Sequence, residues 1–521
     1  MTMKYLLFIL LLPIVVFGCK SGITVYQAPN GEPQSTDFDM AVNGQPVFVY
    51  QAQVSKYPIN QIWPGYQRPV EQTEIASFAY FDMAKEVDVQ IISKKEIHSI
   101  DIRPREFGIK PTINGKTIEF KLSKPMQFVV EVNGYHHALH VFTNPPEVTK
   151  INKNDPKVHY FGPGIHNAGI IDVKSNETVY IAGGAVVYGI IRGENAQNLT
   201  IAGRGILDAS KFKRGEVPAM IALKKVTNST VGGIILRDSP FWTIIPTNCD
   251  HLIFDNLKLI GHWRYNSDGL DIVNCRNIQF RNTFIRTFDD NIVIRGTRKA
   301  YNKPYKIIEN ILVDNCVLWN DWGRAIEIGA SIVADTIRNI TFSNCQIPHF
   351  TAVAMDIQNC DRGHIHNISF NNIAIEQPIT DSLTIGTTPI ISNAWGKVAV
   401  FGIYSTFYSE DTVRGSISNI QLNSISFNYS DSTNKILAEG SNVPIDQNLA
   451  LKGYDHFIRD NIYFGNIEFN CHKKTSMYFS GFDNTHLIKN IHLKDYFING
   501  LKMNNMATIG QNEFVTGITV E

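Results

Sequence analysis

From about residue 195 the chain keeps returning to one phrase: Asn, an aliphatic residue, any residue, then another apolar one. It reads Asn198-Leu199-Thr200-Ile201, Asn277-Ile278-Gln279-Phe280, Asn310-Ile311-Leu312-Val313, Asn339-Ile340-Thr341-Phe342 and Asn367-Ile368-Ser369-Phe370, and recurs at Asn419, Asn461 and Asn490. Asn277, Asn310, Asn339 and Asn367 lie 33, 29 and 28 positions apart. Each phrase alternates apolar and polar residues, the mark of a short strand with one buried face. Short β-branched strands at such a period, with no helical half-repeat, predict a right-handed parallel β-helix over residues 147–521. A leucine-rich repeat is excluded, because no Leu-x-x-Leu-x-Leu phrase is visible. The Asn suits a bend between strands, since it tolerates the left-handed backbone region, and its amide can bond to the coils above and below.

Residues 36–146 follow a different pattern. Val87-Asp88-Val89-Gln90-Ile91, Ile118-Glu119-Phe120-Lys121-Leu122 and Phe128-Val129-Val130-Glu131-Val132 alternate, and Asn114-Gly115 and Asn133-Gly134 are hairpin signals between strand-like runs. These features predict a small antiparallel β-sandwich preceding the helix, in an all-β chain. The sandwich is expected to cover the open N-terminal end of the solenoid, where an unpaired strand edge would otherwise face solvent.

Composition changes this picture little. Lys+Arg and Asp+Glu balance at 48 each, so nothing points to a nucleic-acid or anionic-membrane partner. The N-terminus reads as an address: Lys4, an apolar run from Tyr5 to Phe17, then Gly18-Cys19. The run is short for a membrane span and ends in small residues, as an export signal does. It resembles the bacterial lipoprotein signal, which implies a signal peptide over residues 1–18 and lipidation of Cys19. The protein would then be tethered at the outer membrane, cell surface or periplasm, with residues 19–35 as a polar linker. The other six cysteines all follow Asn (Cys249, Cys275, Cys316, Cys345, Cys360 and Cys471). That repetition marks equivalent positions, read as small buried residues stacked in a column; disulfides between coils stay open.

The candidate chemistry lies in Asn266-Ser267-Asp268-Gly269-Leu270-Asp271 and Phe288-Asp289-Asp290. Asp268 and Asp289 are 21 positions apart, about one coil. Adjacent coils are separated by about 4.8 Å, so carboxyls there, displaced sideways, can lie roughly 5–10 Å apart. That is the range in which a carboxyl pair cleaves a glycosidic bond.

From Ser239 onward the chain resembles the polygalacturonase family of glycoside hydrolases, family 28, and its dextranase-like β-helix relatives, family 49. Ser239-Pro240-Phe241-Trp242-Thr243-Ile244 looks like the coil before their active site. Asn266-Ser267-Asp268-Gly269-Leu270-Asp271 matches their Asn-Thr-Asp-Gly-x-Asp signature with Ser for Thr, and Asp289-Asp290 matches their Asp pair. The resemblance implies Asp289 as general acid, with Asp268 and Asp290 activating water in an inverting hydrolysis. It implies a polysaccharide or oligosaccharide substrate.

The chain also departs from that pattern. Gly323-Arg324-Ala325 stands where the family has Gly-His-Gly, and Ala354-Met355-Asp356 where it has the Arg-Ile-Lys that grips a uronate. Two positive charges are lost and one negative charge is gained, so a neutral glycan is expected rather than polygalacturonate. Arg324 or Arg295 would be the replacement source of positive charge. Arg324 cannot serve as acid or base; it is expected to pin a catalytic Asp or bind a sugar hydroxyl. Asp356, Asn266, Trp263 and Tyr265 are read as substrate-contacting. Asp271, after the Gly turn, is read as supporting or contacting substrate rather than catalytic. Trp319 and Trp322 also fall near the acidic motifs. His262 and His349 lack metal-ligand spacing, and no cofactor or metal is expected; a monomer is. Two rival classes stay open: a polysaccharide lyase on this fold, and a non-catalytic glycan-binding lipoprotein.

Overall fold

The computed structural model describes residues 22–57, 62–297, 307–379, 382–385, 388–391, 396–404, 411, 413–429, 449–453, 459–471 and 477–521. Cys19 and the apolar run before it lie outside the described residues, as does the side chain of Cys471. Among the described residues, no helix is long and apolar enough to cross a membrane.

The N-terminal sandwich is built from a six-stranded and a five-stranded sheet. The five-stranded sheet is antiparallel throughout. The larger one is antiparallel except where Thr73–Met83 runs parallel to Leu139–Asn144. The alternation noted in the sequence puts Val89, Ile91, Ile118, Phe120, Phe128 and Val130 into one core between the sheets. The segment read as a linker is partly structural: Ile23–Val25 pairs with Thr73–Met83 along the sheet edge. The reason is its apolar alternation, Ile23-Thr24-Val25, which packs against the sandwich core.

Beyond residue 157 the strands stack in parallel coils with three faces. The Asn phrases form one face, in which Ile278, Ile311, Ile340, Ile368, Ile420, Ile462 and Ile491 occupy one register position inside the coil. Asn277, Asn310, Asn339, Asn367, Asn419 and Asn490 take positive φ, 56° at Asn277 and 59° at Asn310. The amides form a ladder: Asn310 donates to Asn277 at 2.9 Å, and Asn339 to Asn310 at 3.3 Å. Cys249, Cys275, Cys316, Cys345 and Cys360 are buried free thiols. They occupy two corners rather than one column, because Asn-Cys occurs both before the Asn-phrase face (Cys249, Cys275, Cys360) and after it (Cys316, Cys345).

The second face comprises Ile235–Arg237, Lys258–Ile260, Phe284–Thr287, Val317–Asn320 and their neighbours. Many of its outward residues are apolar as well, among them Val186, Ile206, Ile235, Ile260, Phe284, Val317 and Trp319. They pack against Tyr50, Ala52, Val54, Phe78, Tyr80, Val129 and Phe142 of the sandwich. The sandwich therefore lies along the flank of several coils, which corrects the expectation of an end cap. Buried ion pairs cross this seam. Arg204 meets Asp82 at 3.1 Å, Arg237 pairs with Glu32, and Arg103 bridges Glu131 and Glu376.

The third face, Ile244–Thr247, Leu270–Val273, Ile292–Gly296, Arg324–Ile332, Val353–Asn359 and Lys397–Ile403, carries the acidic motifs.

Candidate active site

Alternation decides what the third face presents. Leu270, Ile272, Ile292, Ile294, Ile326, Ile328, Met355 and Ile357 fill the coil interior. The residues between them point outward, and register aligns Asp271, Val293, Glu327, Asp356 and Val400 in one column. The turns entering these strands stack as well: the Gly269 N–H donates to the Asp290 carbonyl at 2.8 Å, and the Asn291 N–H to the Arg324 carbonyl at 2.8 Å. Asp268, the Asp289-Asp290 pair and Arg324 are thus brought together from three successive coils. Two glycines make this approach possible. A Cβ on Gly323 would collide with Asp290, and one on Gly269 with the Asn291 carbonyl.

The carboxyls are almost wholly removed from water: Asp268 is 2% exposed, Asp289 4% and Asp290 7%. Burial pushes the Asp268 carboxyl well above the usual range, and Asp271, Asp289 and Asp290 push it further. Arg295, 3.6 Å away, opposes them. Burial and the neighbouring Asp290 likewise hold Asp289 far above the ordinary carboxyl range, with Arg324 opposing. Asp290 Oδ1 accepts the Arg324 backbone N–H at 2.6 Å, and the Arg324 guanidinium is 3.9 Å away. Asp271 pairs with Arg295 and is raised to about 6 by burial, which that cation only partly offsets.

Arg324 also donates from Nε to Asp356 Oδ2 at 3.2 Å, where Gln358 Nε2 donates at 3.0 Å. Arg324 therefore touches both Asp290 and Asp356. Among the described residues, buried Asp356 Oδ1 has no hydrogen-bond partner. Asn266, in the left-handed region at φ 55°, sets Nδ2 at 3.4 Å from Asp289 Oδ2 and accepts from Arg214 at 2.5 Å.

Tyr265 lies at the rim, half-buried, stacked on Tyr66 of the sandwich with centroids 5.3 Å apart. Trp263 is not a sugar platform. It is buried, with its indole N–H 3.2 Å from Asp238 Oδ1 and Arg264 over its ring at 4.6 Å, because this polar pair satisfies the indole away from the cleft. Trp319 is wholly buried under the sandwich, and Trp322 stacks on Phe288. Three contributors were not singled out from sequence. Glu327 is buried within the outward column. Arg214 lies over the Tyr66 and Tyr265 rings. The sandwich segment with Trp63, Tyr66 and Arg68 reaches Phe288 and Tyr265. Among the described residues no group of three or more His, Cys, Asp or Glu is arranged to hold a metal ion.

The site thus gathers carboxyls raised by burial and by one another with the guanidinium groups of Arg295 and Arg324 that oppose the shift, a mixture that suits acid–base chemistry.

Comparison with known proteins agrees with this architecture. Residues 168–391 match the model of glycosyl hydrolases family 28. A probable exopolygalacturonase X from Neosartorya fischeri is 24% identical over 187 residues, covering 30% of this chain and 39% of that protein. A probable polygalacturonase from Vitis vinifera is 22% identical over 149 residues, covering 27% and 30%. The matches thus span well under half of these relatives. Dex49A from Penicillium minioluteum superposes with a TM-score of 0.59 at 13% identity, covering 96% of both chains. The family 28 exopolygalacturonase of Yersinia enterocolitica gives 0.51 at 14%, covering 83% of this chain and 97% of that one. The resemblance read from the motifs is borne out, to family 28 across the acidic coils and to the dextranase in overall fold.

Proposed function

We propose that the protein is an inverting glycoside hydrolase acting on a neutral polysaccharide or oligosaccharide. The observation that carries this reading is Asp289, a buried carboxyl that burial and Asp290 push well above the usual range, next to Asp290, whose Oδ1 accepts the Arg324 backbone N–H. A general acid must hold its proton at working pH, and a general base must be ionised. In the reaction, Asp289 donates its proton to the glycosidic oxygen as the bond to the anomeric carbon breaks. Water attacks that carbon from the opposite face and gives its proton to Asp290, with Asp268 positioning the water. An acid and a base that act on opposite faces of the sugar, with a water between sugar and base, give an inverted product anomer.

The charge of the site supports a neutral sugar. Arg295 is engaged by Asp271 and Asp268, and Arg324 by Asp290 and Asp356, so the cations that could replace the missing uronate grip already face carboxyls. A uronate brought here would be desolvated beside an excess of acid. The same pairing disfavours a lyase, which needs a free cationic base at the reacting carbon. The relatives' names point to polygalacturonate; this site does not. We also infer export, with tethering through Cys19, from the N-terminal pattern alone. Labelling with a palmitate analogue in a bacterial host, lost in Cys19→Ala, would support it; equal labelling of both would refute it. The activity is tested by assaying new reducing ends from a panel of neutral glycans and from polygalacturonate. Cleavage of a neutral glycan with no rise in ultraviolet absorbance supports the reading, and preference for the uronate refutes its substrate half.

A further inference from the structure

Residues 63–68 of the sandwich press on the rim of the cleft. Trp63 is buried against Phe288, with ring centroids 5.9 Å apart. Arg68 lies 4.5 Å over the same ring, donating to Ser55 Oγ at 2.7 Å and to the Tyr57 and Gln72 carbonyls at 3.0 Å. Between these anchors Tyr66 sits in the left-handed region at φ 57°, its N–H donating to the Trp63 carbonyl at 2.8 Å. That backbone is unfavourable for a bulky side chain and comfortable for Asn or Gly, so the turn itself does not select a tyrosine. Tyr66 is also 46% exposed. Its ring stacks on Tyr265 at 5.3 Å, and Arg214 lies 4.7 Å over Tyr66, 4.9 Å over Phe241 and 5.4 Å over Tyr265.

Arg214 ties this aromatic group to the carboxyls. Its Nε donates to the Tyr265 carbonyl at 2.8 Å and its Nη2 to Asn266 Oδ1 at 2.5 Å, and Asn266 Nδ2 is 3.4 Å from Asp289 Oδ2. The contacts run in series, ring to guanidinium to amide to carboxyl, so the rings lie outward of the bond that Asp289 would protonate. Neutral acceptors hold one edge of the guanidinium, an edge that would otherwise grip a carboxylate. Among the described residues Nη1 has no hydrogen-bond partner. An open aromatic ring beside a fixed donor matches a sugar, which offers C–H groups to the ring and hydroxyls to the donor. We propose that Tyr66, with Tyr265 and Arg214, forms an outer subsite for a neutral sugar of the substrate chain, so that the sandwich selects for chain length. This rests on the glycosidase reading above. The subsite holds a sugar that does not react, so it strengthens binding and leaves the chemical step alone.

The test compares wild type with Tyr66→Phe and Tyr66→Asn. Asn accepts the left-handed backbone, so that variant loses the ring without added strain. On the cleaved neutral oligosaccharide, from disaccharide to hexasaccharide, Tyr66→Asn is expected to raise KM about tenfold for the longer members, with kcat within about threefold. Tyr66→Phe keeps the aromatic face and is expected to restore the wild-type KM. A KM shift equal at every length, no shift, or a loss in kcat alone overturns the proposal, since a merely structural ring does not sort substrates by length. A second readout needs no turnover. Asp289→Asn is titrated calorimetrically with gluco- and galacto-oligosaccharides of the same lengths, and adding Tyr66→Asn should weaken binding of the longer ones about tenfold. No binding, binding indifferent to Tyr66, or binding of oligogalacturonate alone overturns the proposal. Ring-dependent binding by a wild-type protein that cleaves none of these sugars keeps the subsite and sinks the glycosidase reading instead.

Discussion

At the residue scale the site is a conflict between charge and burial, and the conflict has a measurable sign. Asp271 is raised from 3.8 to about 6, and Asp268 and Asp289 are raised further. A carboxyl with a raised folded-state pKa contributes stability that is complete below the unfolded value and lost as pH climbs through the folded value. For Asp271 that window runs from about 4 to about 6. For Asp268 it extends higher, and stability falls by about 1.4 kcal/mol for every pH unit crossed inside the window. Asp268→Asn removes the titration, so its stability relative to wild type should be greater at pH 8 than at pH 4.5, while activity falls. Thermal melts of both proteins at the two pH values check this; a pH-independent difference would contradict it. The acidic motifs and the family pattern made these Asp residues legible. Glu327 was not legible, because its place in the buried column between Val293 and Asp356 comes from the register between coils, and no local spacing shows that. Trp263 was misread for a related reason: the Asp238 and Arg264 that occupy it come together only in the folded turn.

At the scale of the element, the Asn phrase carries the fold. Its two functions, left-handed backbone and amide ladder, can be separated at Asn310, which sits at φ 59° and bonds to Asn277 and Asn339. Asn310→Gly keeps the backbone conformation and loses the ladder, whereas Asn310→Ala loses both. Left-handed backbone costs a non-glycine residue about 1–2 kcal/mol, so the Ala variant should be the less stable by about 1 kcal/mol. Urea midpoints at constant m decide it; equal midpoints would mean that the bend is not what selects Asn. The phrase was readable because the same physical demand repeats in every coil. The division of the cysteines between two corners was not, because Asn-Cys precedes two different strands and the dipeptide looks the same at both.

For the whole molecule, the flanking sandwich had no signal in the alternation. The outward Val186, Ile206, Ile235 and Phe284 are apolar like the inward residues beside them, so a strand buried on both faces looks like a coil strand with a richer core. The seam also holds Arg103 between Glu131 and Glu376, all buried. Arg103→Leu strands two carboxyls without their cation and should cost about 3–5 kcal/mol. It should lower the melting temperature of sandwich and helix together, in one transition, by calorimetry. Two separated transitions would show that the seam does not couple them. The seam also bears on function, since Trp63, Tyr66 and Arg68 reach from the sandwich to the rim of the cleft.

The central claim is that Asp289 supplies the proton that breaks a glycosidic bond. It is tested most directly by release of reducing ends from a neutral glycan by wild type and Asp289→Asn, purified side by side with matched melting curves. Removing a general acid costs about 10²–10⁴-fold, and the account predicts a loss of that size in kcat with the fold intact. An Asp289→Asn protein that cleaves the same glycan at the wild-type rate would contradict it.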